Sequence, residues 1–260
     1  MLLFLSEAVI ILWSNVMKIV GIIPARYAST RLPGKPLKDI LGYPMIWWVY
    51  KRVSQVDKLD EIYVATDDER IRSVCEQYDI PVIMTSPDHP NGAMRLQEVS
   101  ETIAADFYVQ LNGDEPLMNT DAILAAIPDE VPQDVEFGTN VITQIDDPAQ
   151  AMDASNIKMV FDDQMNALYM SRTPIPYPFK SIDFTYYKHV GIIGYNKKML
   201  DFYKNSQPGR FETIEGIDTL RFLDYGKQLR LMIVPGCHSL SVDTEKDLEM
   251  VIKMMKENNE

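Results

Sequence analysis

The chain has 260 residues, 46% hydrophobic and 24% charged, with 12 Gly and 16 Pro, which excludes collagen-like, low-complexity and wholly disordered chains. Its 38 acidic and 25 basic residues leave a net charge of −13, which argues against general nucleic-acid binding and against docking on an anionic membrane. Cys75 and Cys237 are the only cysteines, too few for a disulfide framework or a Cys-rich zinc site, and suit a reducing cytoplasm.

In chain order, residues 1–16 (MLLFLSEAVIILWSNV) are apolar but interrupted by Glu7, with no basic start and no small-residue cleavage site. The stretch is shorter than the ~20 residues of a membrane span. It reads as an upstream start or an appended surface helix rather than a targeting signal. The fold is expected to begin at Met17 and to run as one domain over residues 17–260.

Residues 19–24 form an apolar run ending in Pro, as in a buried parallel strand. The pattern then predicts a helix over 44–56 with Pro44 as its first residue, and a strand over 61–65. A helix capped by Asp67 is expected to run to Tyr78, followed by a strand over 81–84. A helix over 92–105 and a strand over 107–111 complete a βαβ series, hence an α/β fold with a mostly parallel sheet. Residues 137–144, 157–161 and 167–170 read as strands without long helices between them. Pro174, Pro176 and Pro178 break up a surface segment, and 189–195 is a further strand. The region 137–195 is therefore expected to form a small β-rich subdomain. Helix (213–225), strand (230–234) and helix (244–257) close the chain.

The chemistry concentrates in residues 24–37 (PARYASTRLPGKPL), directly after the first strand. Ligands of open α/β sheets bind at the carboxyl ends of strands. Arg26, Arg31 and Lys35 place three cations there in a chain that is otherwise acidic. Forked guanidinium donors and a compact ammonium suit a polyphosphate, and Ser29, Thr30 and Gly34 allow close backbone approach. A solvated basic loop is the plain alternative. Gly34-Lys35 is followed by Pro, so this is not a Walker A loop, and no GxGxxG supports a dinucleotide.

This segment resembles the signature of the sugar-activating cytidylyltransferases, and most closely the 3-deoxy-manno-octulosonate (KDO) cytidylyltransferase family. Further matches follow in family order: YVATDDERI at 63–71, Asn112-Gly113-Asp114-Glu115-Pro116 against QGDEP, and Ser171-Arg172 with Ile175-Pro176 against SRxxIP. His189 to Tyr195 matches HxGIYGY, and Ser241-Val242-Asp243-Thr244 with Asp247-Leu248 matches VDTPEDL. The resemblance implies a Rossmann-like nucleotide-sugar transferase fold, usually dimeric and cytoplasmic. It implies transfer of CMP from CTP to an acidic sugar, with KDO expected and pyrophosphate released.

It also implies roles. Arg26, Ser29, Arg31, Lys35, Gly92 and Asp114 would bind the nucleotide, and Arg26, Lys35, Asp114 and Asp243 would be catalytic. A lone Asp beside Gly or Thr commonly serves a turn or cap. Paired in family order, Asp114 and Asp243 are read as holding Mg²⁺, which prefers oxygen ligands. Asn112, Arg172, His189, Tyr195, Asp218 and Thr219 would face the acceptor, with Arg172 suited to a carboxylate. For His189, structural hydrogen bonding is an equal alternative. His89, His189 and His238 show no zinc spacing.

Departures from the family cluster at the acceptor. Asn112 replaces Gln, Asp218 and Thr219 replace the Glu and Gln of LEQLR, and His89 to Arg95 (HPNGAMR) replaces HxSGT(D/E)R. Two other readings therefore stand beside the first: a sister nucleotidyltransferase for another carboxylated acceptor, and a non-catalytic nucleotide-binding protein.

Overall fold

The computed structural model describes residues 17–29, 31–237 and 240–258. The expectations for residues 1–16, Thr30 and His238 fall outside the described residues. The strands are β1 (Ile19–Ala25), β2 (Asp39–Ile40), β3 (Tyr43–Pro44), β4 (Glu61–Thr66), β5 (Val82–Met84), β6 (Phe107–Leu111), β7 (Gly138–Gln144), β8 (Lys158–Phe161), β9 (Ala167–Ser171), β10 (Tyr187–Tyr195) and β11 (Leu229–Ile233). The helices are α1 (Met45–Val53), α2 (Glu69–Gln77), α3 (Gly92–Thr102), α4 (Thr120–Ala126), α5 (Pro148–Met152), α6 (Lys197–Asn205), α7 (Arg210–Glu215), α8 (Leu220–Asp224) and α9 (Glu245–Glu257).

Alternation along β1 sends Ile19, Ile23 and Ala25 to one face and Val20 and Ile22 to the other, so the strand is buried on both sides. The first face packs against α1, α2, α4 and α9 through residues such as Val49, Ile71, Ile123 and Val251. The second packs against α3, α6 and α8 through Leu96, Leu200 and Phe222. The result is a sheet between two helical layers.

The sheet order is β11-β7-β10-β6-β1-β4-β5. All neighbours along it are parallel except β10, which runs antiparallel to both β6 and β7. The chain starts at β1, builds outward through β4 and β5, then returns to the other side of β1 as β6. That reversal opens a crevice between the carboxyl ends of β1 and β6.

The β-rich stretch is narrower than the expected subdomain over 137–195, because β7 and β10 are inner strands of the main sheet. Only β8 and β9 hang off it, antiparallel and joined through β10. Four local corrections share one cause, that caps decide helix ends. Pro44 stays extended as the N-cap of α1, and Asp68 rather than Asp67 caps α2 by accepting from the Arg70 N–H. The helix over 92–105 stops at Thr102. The helix expected over 213–225 divides at Gly216, whose φ of +63° ends α7 before α8 begins. No helix among the described residues is long and apolar enough to cross a membrane.

Candidate active site

A cleft of about 460 Å³ opens at the crevice between β1 and β6. Arg26, Ser29, Arg31 and Lys35 reach it from the loop after β1, Gly92 from the start of α3, and Asn112 and Asp114 from the turn after β6. Asp243 completes it from the segment before α9. The loop is folded by its own backbone. Gly34 takes a left-handed φ of +68°, which returns its N–H to the Tyr27 carbonyl at 3.0 Å and stacks its Cα against the Tyr27 ring. The Arg70 guanidinium lies 3.3 Å from the centre of the Tyr27 ring, pinning Tyr27 to α2. Arg26 donates to the His89 carbonyl, tying the loop to the approach to α3.

Asp114 and Asp243 meet in this cleft although they stand 129 positions apart in the chain. The Val242 N–H donates to the Asp114 carbonyl at 2.9 Å. Gly113 lets the turn approach β1, since a Cβ there would stand 2.8 Å from the Pro24 carbonyl oxygen. On the other side, Thr244 and Asp247 form a capping box that starts α9. Asp247 accepts from the N–H groups of Asp243 and Thr244 at 3.1 and 2.8 Å, so the backbone carrying Asp243 is fixed.

The two carboxylates share one cation. The Lys35 ammonium donates to Asp114 Oδ2 at 2.8 Å and to Asp243 Oδ1 at 2.9 Å, and Arg31 reaches the same Asp243 oxygen at 3.0 Å. Burial pulls the Lys35 pKa down while both carboxylates push it up, and the carboxylates prevail. Two oxygens from separate elements that converge on one positive charge fit a divalent ion that also takes phosphate oxygens.

A second cleft, of about 190 Å³, adjoins the first and shares Gln110 with it. His189, Tyr195, Asp218 and Thr219 line it, so four of the six expected acceptor residues come together. A bulge in β10 between His189 and Ile193 aims this wall. The Asn140 amide donates to the carbonyls of Val141, Val190 and Ile192 at 3.0–3.1 Å, which fixes its orientation. Asn140 Oδ1 therefore accepts from His189 Nδ1–H at 2.8 Å, leaving Nε2 as a hydrogen-bond acceptor. Burial pushes the imidazole down to about 4, so His189 is neutral at physiological pH. Enclosure raises the Asp218 carboxyl, against the lowering hydrogen bond from Asn91. Behind Asp218 and Thr219, Arg221 holds Glu212 through two bonds of 2.7 and 2.6 Å, locking α7 to α8.

The other two acceptor candidates lie elsewhere. Arg172 does not offer a free fork to a carboxylate. Its guanidinium donates to the carbonyls of Glu215, Ala154 and Gly216 at 2.7, 2.9 and 3.1 Å, because main-chain acceptors surround it where β9 meets the α7–α8 turn. Asn112 lines the first cleft, where its amide donates to Glu115 at 2.9 Å. Sequence reasoning missed Gln110, the one amide side chain inside the strand FYVQL. Its Oε1 is buried without a hydrogen-bond partner at the junction of the two clefts. A lone amide in a buried strand was the available signal.

The model of the cytidylyltransferase family matches residues 20–232. A 3-deoxy-manno-octulosonate cytidylyltransferase from Fusobacterium nucleatum is 41% identical over 246 residues, which cover 94% of this chain and 99% of the relative. An 8-amino-3,8-dideoxy-manno-octulosonate cytidylyltransferase from Shewanella halifaxensis is 38% identical, covering 90% and 97%. Among solved structures, CMP:2-keto-3-deoxy-manno-octonic acid synthetase complexed with CTP superposes with a TM-score of 0.86 at 38% identity, covering 93% of this chain and 99% of that one. The inositol-1-phosphate CTP transferase of T. maritima, 13% identical with a TM-score of 0.65, shares the fold.

Proposed function

The chain belongs to the cytidylyltransferase family, and we propose that it transfers CMP from CTP to KDO or a close eight-carbon relative, releasing pyrophosphate. The observation that carries this reading is the pair of adjoining clefts. One joins three cations to two carboxylates, and the other presents hydrogen-bonding groups without a lysine or arginine. The acceptor's anomeric hydroxyl attacks the α-phosphorus in line, the new P–O bond forms as the hydroxyl proton passes to solvent, and the bond to the pyrophosphate oxygen breaks. Catalysis is positioning and charge neutralisation, with no covalent intermediate.

Arg26, Arg31 and Lys35 neutralise the triphosphate, and Ser29 and the first N–H groups of α3 at Gly92 approach it closely. Asp114 and Asp243 would hold Mg²⁺, which would supply charge neutralisation between the phosphate oxygens. Asp218, Tyr195 and His189 bind the acceptor's hydroxyls, with His189 Nε2 accepting, and Thr219 lines the same cleft. The enzyme is proposed to act in the cytoplasm as a homodimer. Its contact face would be the exposed Tyr177, Phe179 and Ile182 beside Met152. Sedimentation of Phe179→Glu/Ile182→Glu should then report a monomer.

Pyrophosphate release tests the reading, measured with each nucleoside triphosphate and with KDO, its 8-amino analogue and a panel of other sugar acids. Turnover requires CTP and an eight-carbon acid if the reading holds. Turnover with another acid alone would favour the sister-enzyme reading, and CTP binding without any turnover the non-catalytic one.

A further inference from the structure

We propose that Lys35 occupies the place of the divalent cation until nucleotide arrives, so that metal enters with CTP and not before it. This rests on the reading that Asp114 and Asp243 hold the metal. One oxygen of each carboxylate is already engaged, Asp114 Oδ2 by Lys35 and Asp243 Oδ1 by Lys35 and Arg31 together. A divalent ion taking those same oxygens would stand against the ammonium that already holds them. The Lys35 side chain is the most enclosed of the three charged groups, 13% exposed against 29% and 35% for the two carboxylates. It therefore neutralises them efficiently in the free enzyme.

CTP changes the balance. Its triphosphate brings about four negative charges into the same cleft and gives the ammonium a second set of oxygens. The lysine stem is flexible over four carbons, whereas the backbone is held by the Lys35 N–H to Leu32 carbonyl bond at 3.2 Å and the turn into Pro36. Lys35 can thus move from carboxylate to phosphate without the loop unfolding. Metal-free protein would pay no electrostatic penalty for two facing carboxylates, and no divalent ion would be trapped in an unproductive site.

Mn²⁺ alone is the probe, followed by electron paramagnetic resonance or equilibrium dialysis on the full chain without nucleotide. Wild type is expected to hold none at concentrations where Lys35→Met binds about one equivalent, an affinity gap of about tenfold or more. Lys35→Met/Asp243→Asn should lose that ion. Lys35→Gln replaces Lys35→Met if circular dichroism shows the latter misfolded. Wild type binding one equivalent as tightly as the variant overturns the exchange, and so does a variant as empty as wild type. The underlying metal reading fails separately, if CTP-loaded wild type and Asp114→Asn retain Mn²⁺ equally.

Discussion

Asp114 and Asp243 are joined through the backbone as well as through Lys35, for the Val242 N–H donates to the Asp114 carbonyl at 2.9 Å. Two segments distant in sequence thus arrive at one point with their carboxylates already facing. That arrangement is pre-organised by β6, by the capping box of α9 and by the loop after β1. None of the three elements could place the pair alone. The predictions below follow from which of these supports is removed.

Asp114→Asn and Asp243→Asn should each abolish pyrophosphate release while leaving the fold intact. Each substitution keeps the side-chain shape but removes a charge that a divalent cation requires. Circular dichroism and thermal melts should match wild type within a few degrees, since both residues are partly solvent-exposed. Full activity of either variant at limiting Mg²⁺ would refute the two-carboxylate site.

Thr244→Ala should lower both stability and turnover. It removes the hydroxyl that accepts from the Asp247 N–H and donates to the Asp247 carboxylate, so that carboxylate is held only by the N–H groups of residues 243 and 244. Loss of such a cap costs about 1 kcal/mol. Because the same cap orients Asp243, kcat should fall further than an ordinary surface substitution allows, and Thr244→Ser should restore it. A stability loss with unchanged kcat would confine the cap to folding.

Arg172→Met should act on stability and not selectively on acceptor binding. Its guanidinium holds three carbonyls between β9, the segment after α5 and the α7–α8 turn, so removing it leaves those acceptors short of donors. The expected result is a loss of roughly 1–3 kcal/mol in urea denaturation. A KM for the acceptor raised tenfold or more, at unchanged stability, would return Arg172 to the acceptor site.

Much of this architecture was legible before the structure because it is periodic. The apolar runs of β1, β4 and β6 and the turn residues after them place the cleft, and Arg26, Arg31, Lys35, Asp114 and Asp243 all line it. What was missed depends on long-range partners. Arg172 reads as a free fork until the carbonyls around it are seen, and Gln110 is inconspicuous until its neighbours fail to pair with it. The helices α4 and α6 were also missed, although each begins at an Asn cap, Asn119 and Asn196. The bulge in β10 depends on Asn140, 49 residues upstream of His189, and no local pattern reports it.

Stability should decline as pH falls from about 6.5 towards 4, through His189. The folded imidazole is held down to about 4 by burial, whereas an unfolded histidine titrates near 6.5. Between those values the unfolded chain binds a proton that the folded chain refuses. The contribution is therefore complete above the unfolded value and is lost as pH drops through the folded one. Its full size is about 3 kcal/mol. Urea midpoints from pH 7.5 to 4.5 should show the slope in wild type and a shallower one in His189→Gln. Identical slopes would remove His189 as the cause.

The second cleft supplies the last prediction. Asp218 and Thr219 are shorter than the Glu and Gln of the motif LEQLR that this segment resembles, and both line the second cleft, so each would retreat from a ligand placed there. Thr219 is buried and its hydroxyl is 3.2 Å from the Met170 sulfur, directed into the core behind the cleft. Asn112, the third shortened residue, lines the first cleft and is tied to Glu115, so it should matter less to the distal part of the acceptor. Asp218→Glu/Thr219→Gln should therefore raise kcat/KM for KDO about tenfold, equivalent to about 1.4 kcal/mol, while Asn112→Gln alone changes it little. A hydrogen bond regained inside an enclosed site is of that order. Initial rates of pyrophosphate release at subsaturating KDO give the comparison directly. If wild type already uses KDO as well as the double variant does, the shortened side chains are compensated locally and specificity resides elsewhere.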